Sequence, residues 1–284
     1  MQLDHFSTGW VTPVLSYLMS VTGSLLGLRC AAHSRSARWP GGWLIAAAVA
    51  LGGTGIWVMH FTAMLGFSIH GATIRYDVPM TLASAAIAMV VVWIGLSIVM
   101  RGGREIFALP IGGAVTGLGV AAMHYLGMRA MRTDAMIGYS LTLVAASIVI
   151  GVIAATAALW FMLHVSGFRA TIGASLIMGV AVSGMHYTGM AAVHAHHGST
   201  MPTGADPMQL FTPLILIVTI VTVVLFILVG LAELDDRDGE PAKSLNGAQA
   251  ERISAAGSAA TVVRSKRSTP SSSGPLRSSV RSRK

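Results

Sequence analysis

The stretch Met185-His186-Tyr187-Thr188-Gly189-Met190 decides how this chain is read. It closes a long apolar run, and two earlier segments share its pattern: Met59-His60-Phe61-Thr62-Ala63-Met64 and Met123-His124-Tyr125-Leu126-Gly127-Met128. Each reads Met-His-aromatic-x-small-Met, and starts at 59, 123 and 185 set a period of just over sixty residues. A fixed period marks an architecture built by repetition. On a helix the histidine and the second methionine are four residues apart and share a face, while the first methionine sits about 100° round the axis. Each repeat therefore offers an imidazole and a thioether together, close to where a membrane helix should end.

Composition fixes the solvent. The 284 residues are 54% apolar and only 11% charged, with mean hydropathy +0.69, whereas a soluble domain carries about a quarter charged residues. No Asp, Glu, Lys or Arg falls within Trp43–Leu65, Pro79–Met100, Phe107–Met128, Tyr139–Leu163 or Phe211–Ala232. Each run meets the about 20 residues a bilayer core requires. The net charge of +8 belongs to the C-terminal tail, where eight Lys or Arg and no acid follow from Arg252 onward. A nucleic-acid partner is therefore not expected, and the basic tail reads as a solvated cytoplasmic segment or a contact for anionic lipid. Cys30 is the only cysteine, which excludes an intramolecular disulfide.

The reading is an all-α membrane protein of seven transmembrane helices with a two-helix internal repeat of roughly sixty residues. The spans fall at about Val11–Leu28, Trp43–Leu65, Pro79–Met100, Phe107–Met128, Tyr139–Leu163, Thr171–Val193 and Phe211–Leu231, joined by loops. Residues 1–232 form the membrane domain, and 233–284, rich in Ser, Gly and Ala, form a disordered basic tail. The first span is not a cleaved signal peptide, because its basic residues follow the apolar run instead of preceding it. Loops after spans one, three and five hold Arg29, Arg35, Arg38, Arg101, Arg104 and Arg169, against Arg75, Arg129 and Arg132 after spans two, four and six. Six against three puts the first set in the cytoplasm, so the N-terminus is expected outside and the C-terminus inside. All three motifs then lie near the outer face of a multi-pass plasma-membrane protein.

Polar side chains at membrane depth are costly and have a job. Imidazole suits Cu, Zn, Fe and Ni, and thioether selects copper, Cu(I) above all. His60, His124 and His186 with Met64, Met128 and Met190 therefore point to a copper site. Met59, Met123 and Met185, off the histidine face, are secondary candidates suited to packing between helices. His194, His196 and His197, with His5, form a separate candidate for Cu(II) or Zn in the outer loops. Bis-histidine haem is a further alternative, as are a copper transporter and a purely structural role. No lysine precedes Lys243, which excludes a retinal Schiff base, and no carboxylate lies deep in a span to relay protons. No hydrolase or phosphate-loop motif is visible, so the chain reads as non-enzymatic.

Met185-His186-Tyr187-Thr188 is the signature of the MHYT domain family, which the chain resembles from about His5 to Leu231. Tyr76-Asp77-Val78-Pro79 and Thr81-Leu82-Ala83-Ser84 also look like the family's segment after its first motif. The resemblance implies a bacterial integral membrane sensor in which Met and His near the outer face bind copper and, through it, sense oxygen, carbon monoxide or nitric oxide. Carried over, it covers Met59, His60 and Met64, then Met123, His124 and Met128, then Met185, His186 and Met190. Phe61 for Tyr and Leu126 for Thr depart from the signature. Many relatives carry a cytoplasmic cyclase, phosphodiesterase or kinase domain. With none expected here, a signal would pass to a separate cytoplasmic or membrane partner.

Overall fold

Apolar runs punctuated by Pro, Gly and Arg become helices because only intra-helical hydrogen bonds satisfy a backbone in lipid. The computed structural model describes residues 2–4, 7–101, 103–196, 198 and 202–235. Seven helices among them are long and apolar enough to span a membrane: α1 (Val11–Ser34), α2 (Pro40–Met64), α3 (Val78–Met100), α4 (Glu105–Ala130), α5 (Leu141–His164), α6 (Phe168–Ala191) and α7 (Pro207–Asp235). The chain is a multi-pass membrane protein. The basic tail from residue 236 onward lies outside the described residues.

Several helices outrun their apolar cores. Helix α1 continues past Leu28 to Ser34. Just beyond it, the Arg35 guanidinium donates to the Met162 and Leu163 carbonyls, at 3.1 and 2.6 Å. These are among the last carbonyls of α5, which have no partner within their own helix. Pro40 and Pro79 sit in first turns, where the missing N–H costs nothing. The Asp77 carboxylate caps α3 by accepting from the Met80 N–H at 3.0 Å.

The helices form three hairpins, α1–α2, α3–α4 and α5–α6. Neighbours pack in chain order and α6 returns to α1, which closes a ring. One hydrogen bond recurs in each hairpin. The carbonyls of Gly66, Ala130 and Ala192, each six residues after a motif histidine, accept from the N–H groups of Ser7, Asp77 and Ser140 at 2.9, 2.8 and 2.8 Å. That bond ties the end of each motif helix to the start of its hairpin partner.

The segments read as plain loops contain short strands: β1 (Leu3–Asp4), β2 (Ser68–Ile69), β3 (Ile74–Tyr76), β4 (Met131–Thr133), β5 (Met136–Tyr139) and β6 (Val193–His196). They pair antiparallel as β1 with β2, β3 with β4 and β5 with β6. The bridge Tyr76↔Ala205 joins the third repeat's exit to the first repeat's. Consecutive repeats are thus laced together across the end of the bundle that carries the motifs. The physical reason is that connections from successive repeats lie side by side and satisfy each other's backbone groups.

Helix α2 departs from its counterparts. Its glycine-rich middle, Val49–Val58, winds as a π-helix immediately before the first motif, a form found mostly as single-turn bulges at functional sites. It is also the span most covered by protein. Helix α7 packs along it, with Thr54 and Thr222 hydroxyls 3.1 Å apart and the Phe211 ring 5.3 Å from Phe61.

Candidate metal centre

Repetition places one histidine near the end of each of α2, α4 and α6, and the ring closure brings the three together. His60, His124 and His186 are each 1% exposed, and their candidate ligand nitrogens lie within 4.8 Å of one another. Among the described residues this is the one such group of metal-capable side chains. The Nδ1 atom of His60 lies 3.0 Å from Nδ1 of His186 and 3.2 Å from Nδ1 of His124. Ring centroids are 4.9, 5.0 and 5.1 Å apart with interplanar angles of 73°, 78° and 88°. The imidazoles form a propeller whose Nδ1 atoms converge.

Protons alone serve this arrangement poorly. A neutral imidazole nitrogen carries either one hydrogen or one lone pair. With His60 in contact with both partners, either its single Nδ1 hydrogen serves two acceptors or its single lone pair serves two donors. A cation among the rings would use all three lone pairs at once. Two nitrogens held at 2.0–2.1 Å in tetrahedral array sit about 3.3 Å apart, close to the separations seen. The donor set therefore fits a bound metal ion. The Nε2 atoms of His60 and His124 are buried with no hydrogen-bond partner, whereas a ligating histidine almost always donates that proton to an acceptor.

The motif methionines, Met59, Met64, Met123, Met128, Met185 and Met190, are all buried, at 1–3% exposure. Met185 turns toward Gly151 of α5 and lines a small apolar cavity of about 30 Å³ with Thr116 and Met178. Met128 lines an open cleft of about 610 Å³ that also holds Arg129, Tyr125 and Tyr139. Among the described residues, the outer-loop histidines His194 and His196 are not part of this cluster. His194 and His196 are exposed on one face of β6, opposite Gly138 and Met136. His5 and His197 lie outside the described residues.

Around the triad runs a set of contacts that the sequence reading did not single out. The Tyr125 hydroxyl meets the Ser147 hydroxyl of α5 at 2.6 Å, and Tyr187 lies against Ser16 of α1. Phe61 has no hydroxyl, and at the matching place the Trp57 indole N–H donates to Ser84 of α3 at 2.9 Å. The motif helices α2 and α4 are thereby bonded to the first helix of the following repeat, and Tyr187 of α6 stands beside Ser16 at the matching place on α1. A signal was present in the sequence: Ser84 and Ser147 each stand seven residues after Asp77 and Ser140. Above the rings, burial pushes the Tyr76 phenol above its ordinary range, and Tyr76 packs edge-on to Phe61 and Phe211.

A closed ring of helical hairpins around a buried histidine cluster defines a class of polytopic membrane domain built by repetition. The sequence pattern described as "MHYT: Bacterial signalling protein N terminal repeat" matches residues 53–111, 117–175 and 179–234, and the chain belongs to that family. It is 42% identical over 162 residues to the bifunctional diguanylate cyclase/cyclic di-GMP phosphodiesterase MucR of Pseudomonas aeruginosa, covering 55% of this chain and 23% of that protein. It is 36% identical over 167 residues to the cyclic di-GMP phosphodiesterase NbdA of the same organism, covering 57% and 20%. The signaling protein YkoW of Bacillus subtilis is 31% identical over 178 residues, covering 60% and 22%. The matched region spans about a fifth to a quarter of these relatives. No solved structure matches the chain.

Proposed function

We propose that this protein is a membrane sensor domain whose His60, His124 and His186 hold one copper ion near the outer face of the plasma membrane. The observation that carries the reading is the convergence of three buried Nδ1 atoms from three repeats. Copper is favoured because thioethers accompany each imidazole and no thiolate or carboxylate does. Met64, Met128 and Met190, one turn beyond the histidines, are the thioethers that would complete the set. Bound copper would supply a soft, redox-active centre able to take a diatomic ligand such as oxygen, carbon monoxide or nitric oxide. The chain's own residues hold the imidazoles, exclude water and couple the site to the helices around it.

The arginine distribution supports the orientation, with the triad end outside. The route for a signal runs through α2, because α7 packs on that helix at Phe61 and Thr54. A shift of His60 therefore moves the surface against which α7 rests. The recipient is a separate cytoplasmic or membrane partner, and the chemistry is non-enzymatic within the ring. Haem fits less well, since imidazoles with centroids about 5 Å apart leave no slot for a macrocycle.

Elemental analysis of the detergent-purified protein tests the site. About one copper per chain is expected, reduced several-fold by His60→Ala, His124→Ala or His186→Ala. Copper content unchanged by all three substitutions would refute the assignment. Flux of copper into vesicles would move the reading to a transporter.

A further inference from the structure

We infer that the small residue of each motif positions the histidine of the preceding repeat and not its own, with Gly127 seating His60 and Gly189 seating His124. A Cβ at Gly127 would fall on His60 Nε2, with Cδ2 of that ring at 3.0 Å. A Cβ at Gly189 would fall on His124 Nε2, with Cδ2 at 3.0 Å and Cε1 at 3.3 Å. The same atom of the imidazole is met at the same approach, one repeat back in both cases. These are also the two imidazole nitrogens that are buried without a hydrogen-bond partner. Absence of a side chain at 127 and 189 is what lets each ring swing far enough outward for its Nδ1 to face the centre.

The repeat rotation carries the same place in the first motif to Ala63, which does have a methyl and is 4% exposed. Its counterpart histidine would be His186, and His186 is the one triad member whose Nε2 is absent from the buried, unpartnered atoms. The triad is thus asymmetric by sequence: two rings back onto glycine and one is assigned to alanine. This inference concerns the seating of the rings and holds whatever ion they bind.

Imidazole nitrogen NMR on metal-free, ¹⁵N-histidine-labelled protein in detergent reads the seating directly. Gly127→Ala should shift the His60 ring resonances more than those of His124, and Gly189→Ala should shift His124 more than His186. Gly184→Ala, at a position on α6 with open space around its Cα, should leave all three in place. On loading with copper, both cradle variants should bind about 10–100-fold more weakly. If Gly127→Ala disturbs its own motif's His124 rather than His60, or if Gly184→Ala has the same effect, the inference is wrong. Should the cradle variants fail to fold, Ala63→Gly decides, since it adds no atoms: a shift confined to His186 supports the seating, and no shift overturns it. A protein that shows these shifts yet takes up no copper would fail the metal reading and keep this one.

Discussion

The first repeat and the two that follow solve one packing problem with different side chains. In the second, the motif tyrosine reaches a serine on the next repeat's first helix, Tyr125 to Ser147, and in the third Tyr187 stands beside Ser16 of α1. In the first, Phe61 cannot, and Trp57, one turn earlier on the same face, reaches Ser84 instead. The Phe61 ring still keeps its tyrosine counterpart's place, 6.1 Å from Tyr76, as Tyr125 is 6.1 Å from Tyr139. The difference teaches that the ring of the motif aromatic is fixed by its neighbours, whereas its hydroxyl is one of two ways to tie adjacent repeats. Phe61 also meets Phe211 of α7, a surface better served by a plain hydrocarbon ring. The departure from the signature thus belongs to the repeat that carries the extra helix.

The largest effect is expected from removing the first repeat's substitute. Trp57→Phe deletes a buried indole contact and its hydrogen bond, so it should cost about 2–4 kcal/mol in thermal unfolding in detergent. Adding Phe61→Tyr to that variant restores the arrangement of the other repeats and should recover about 1 kcal/mol. No recovery in the double variant would break the equivalence of the two solutions. Tyr125→Phe should cost less, about 1 kcal/mol, because the ring remains and Ser147 keeps its bond to the Val144 carbonyl. A Tyr125→Phe loss as large as that of Trp57→Phe would show the hydroxyl to matter more than the packing around it.

How much of this was legible follows from which interactions are local. The spans could be read because Pro40, Pro79, Arg101 and Gly167 interrupt charge-free apolar runs, and the bilayer sets their length. Convergence of His60, His124 and His186 could be read from the period, since equal spacing gives equal depth. The cap could not: β1 and β2 are two residues long, too short for any alternation, and their partners come from other connections. The π-helical stretch Val49–Val58 left no clear mark beyond its glycines. Relations between repeats were also hidden, because nothing within Met123–Met128 says that its tyrosine belongs to Ser147 of the following hairpin.

The smallest effect separates the second and third repeats at the cap. Both α3 and α5 begin after a residue whose N–H bonds the end of a motif helix, Asp77 to Ala130 and Ser140 to Ala192. Asp77 adds a side-chain cap and an ion pair with Arg132 at 2.9 Å, whereas the Ser140 side chain makes no cap bond. The Met80 N–H and then Arg132 hold the Asp77 carboxyl below its ordinary range. A group depressed in the folded state stabilises it above the unfolded carboxylate pKa, and that contribution is lost as pH falls through the lower folded value. Acidification should therefore speed amide exchange at the β3–β4 junction, at Arg75 and Arg132, before it affects Ile137 and Ala195 in β5–β6. Asp77→Asn keeps a capping oxygen but removes the charge, so the junction should lose its acid sensitivity while α3 stays capped. Equal acid response at both junctions in the parent protein would mean that the ion pair contributes nothing to the lacing of the first repeat to the second.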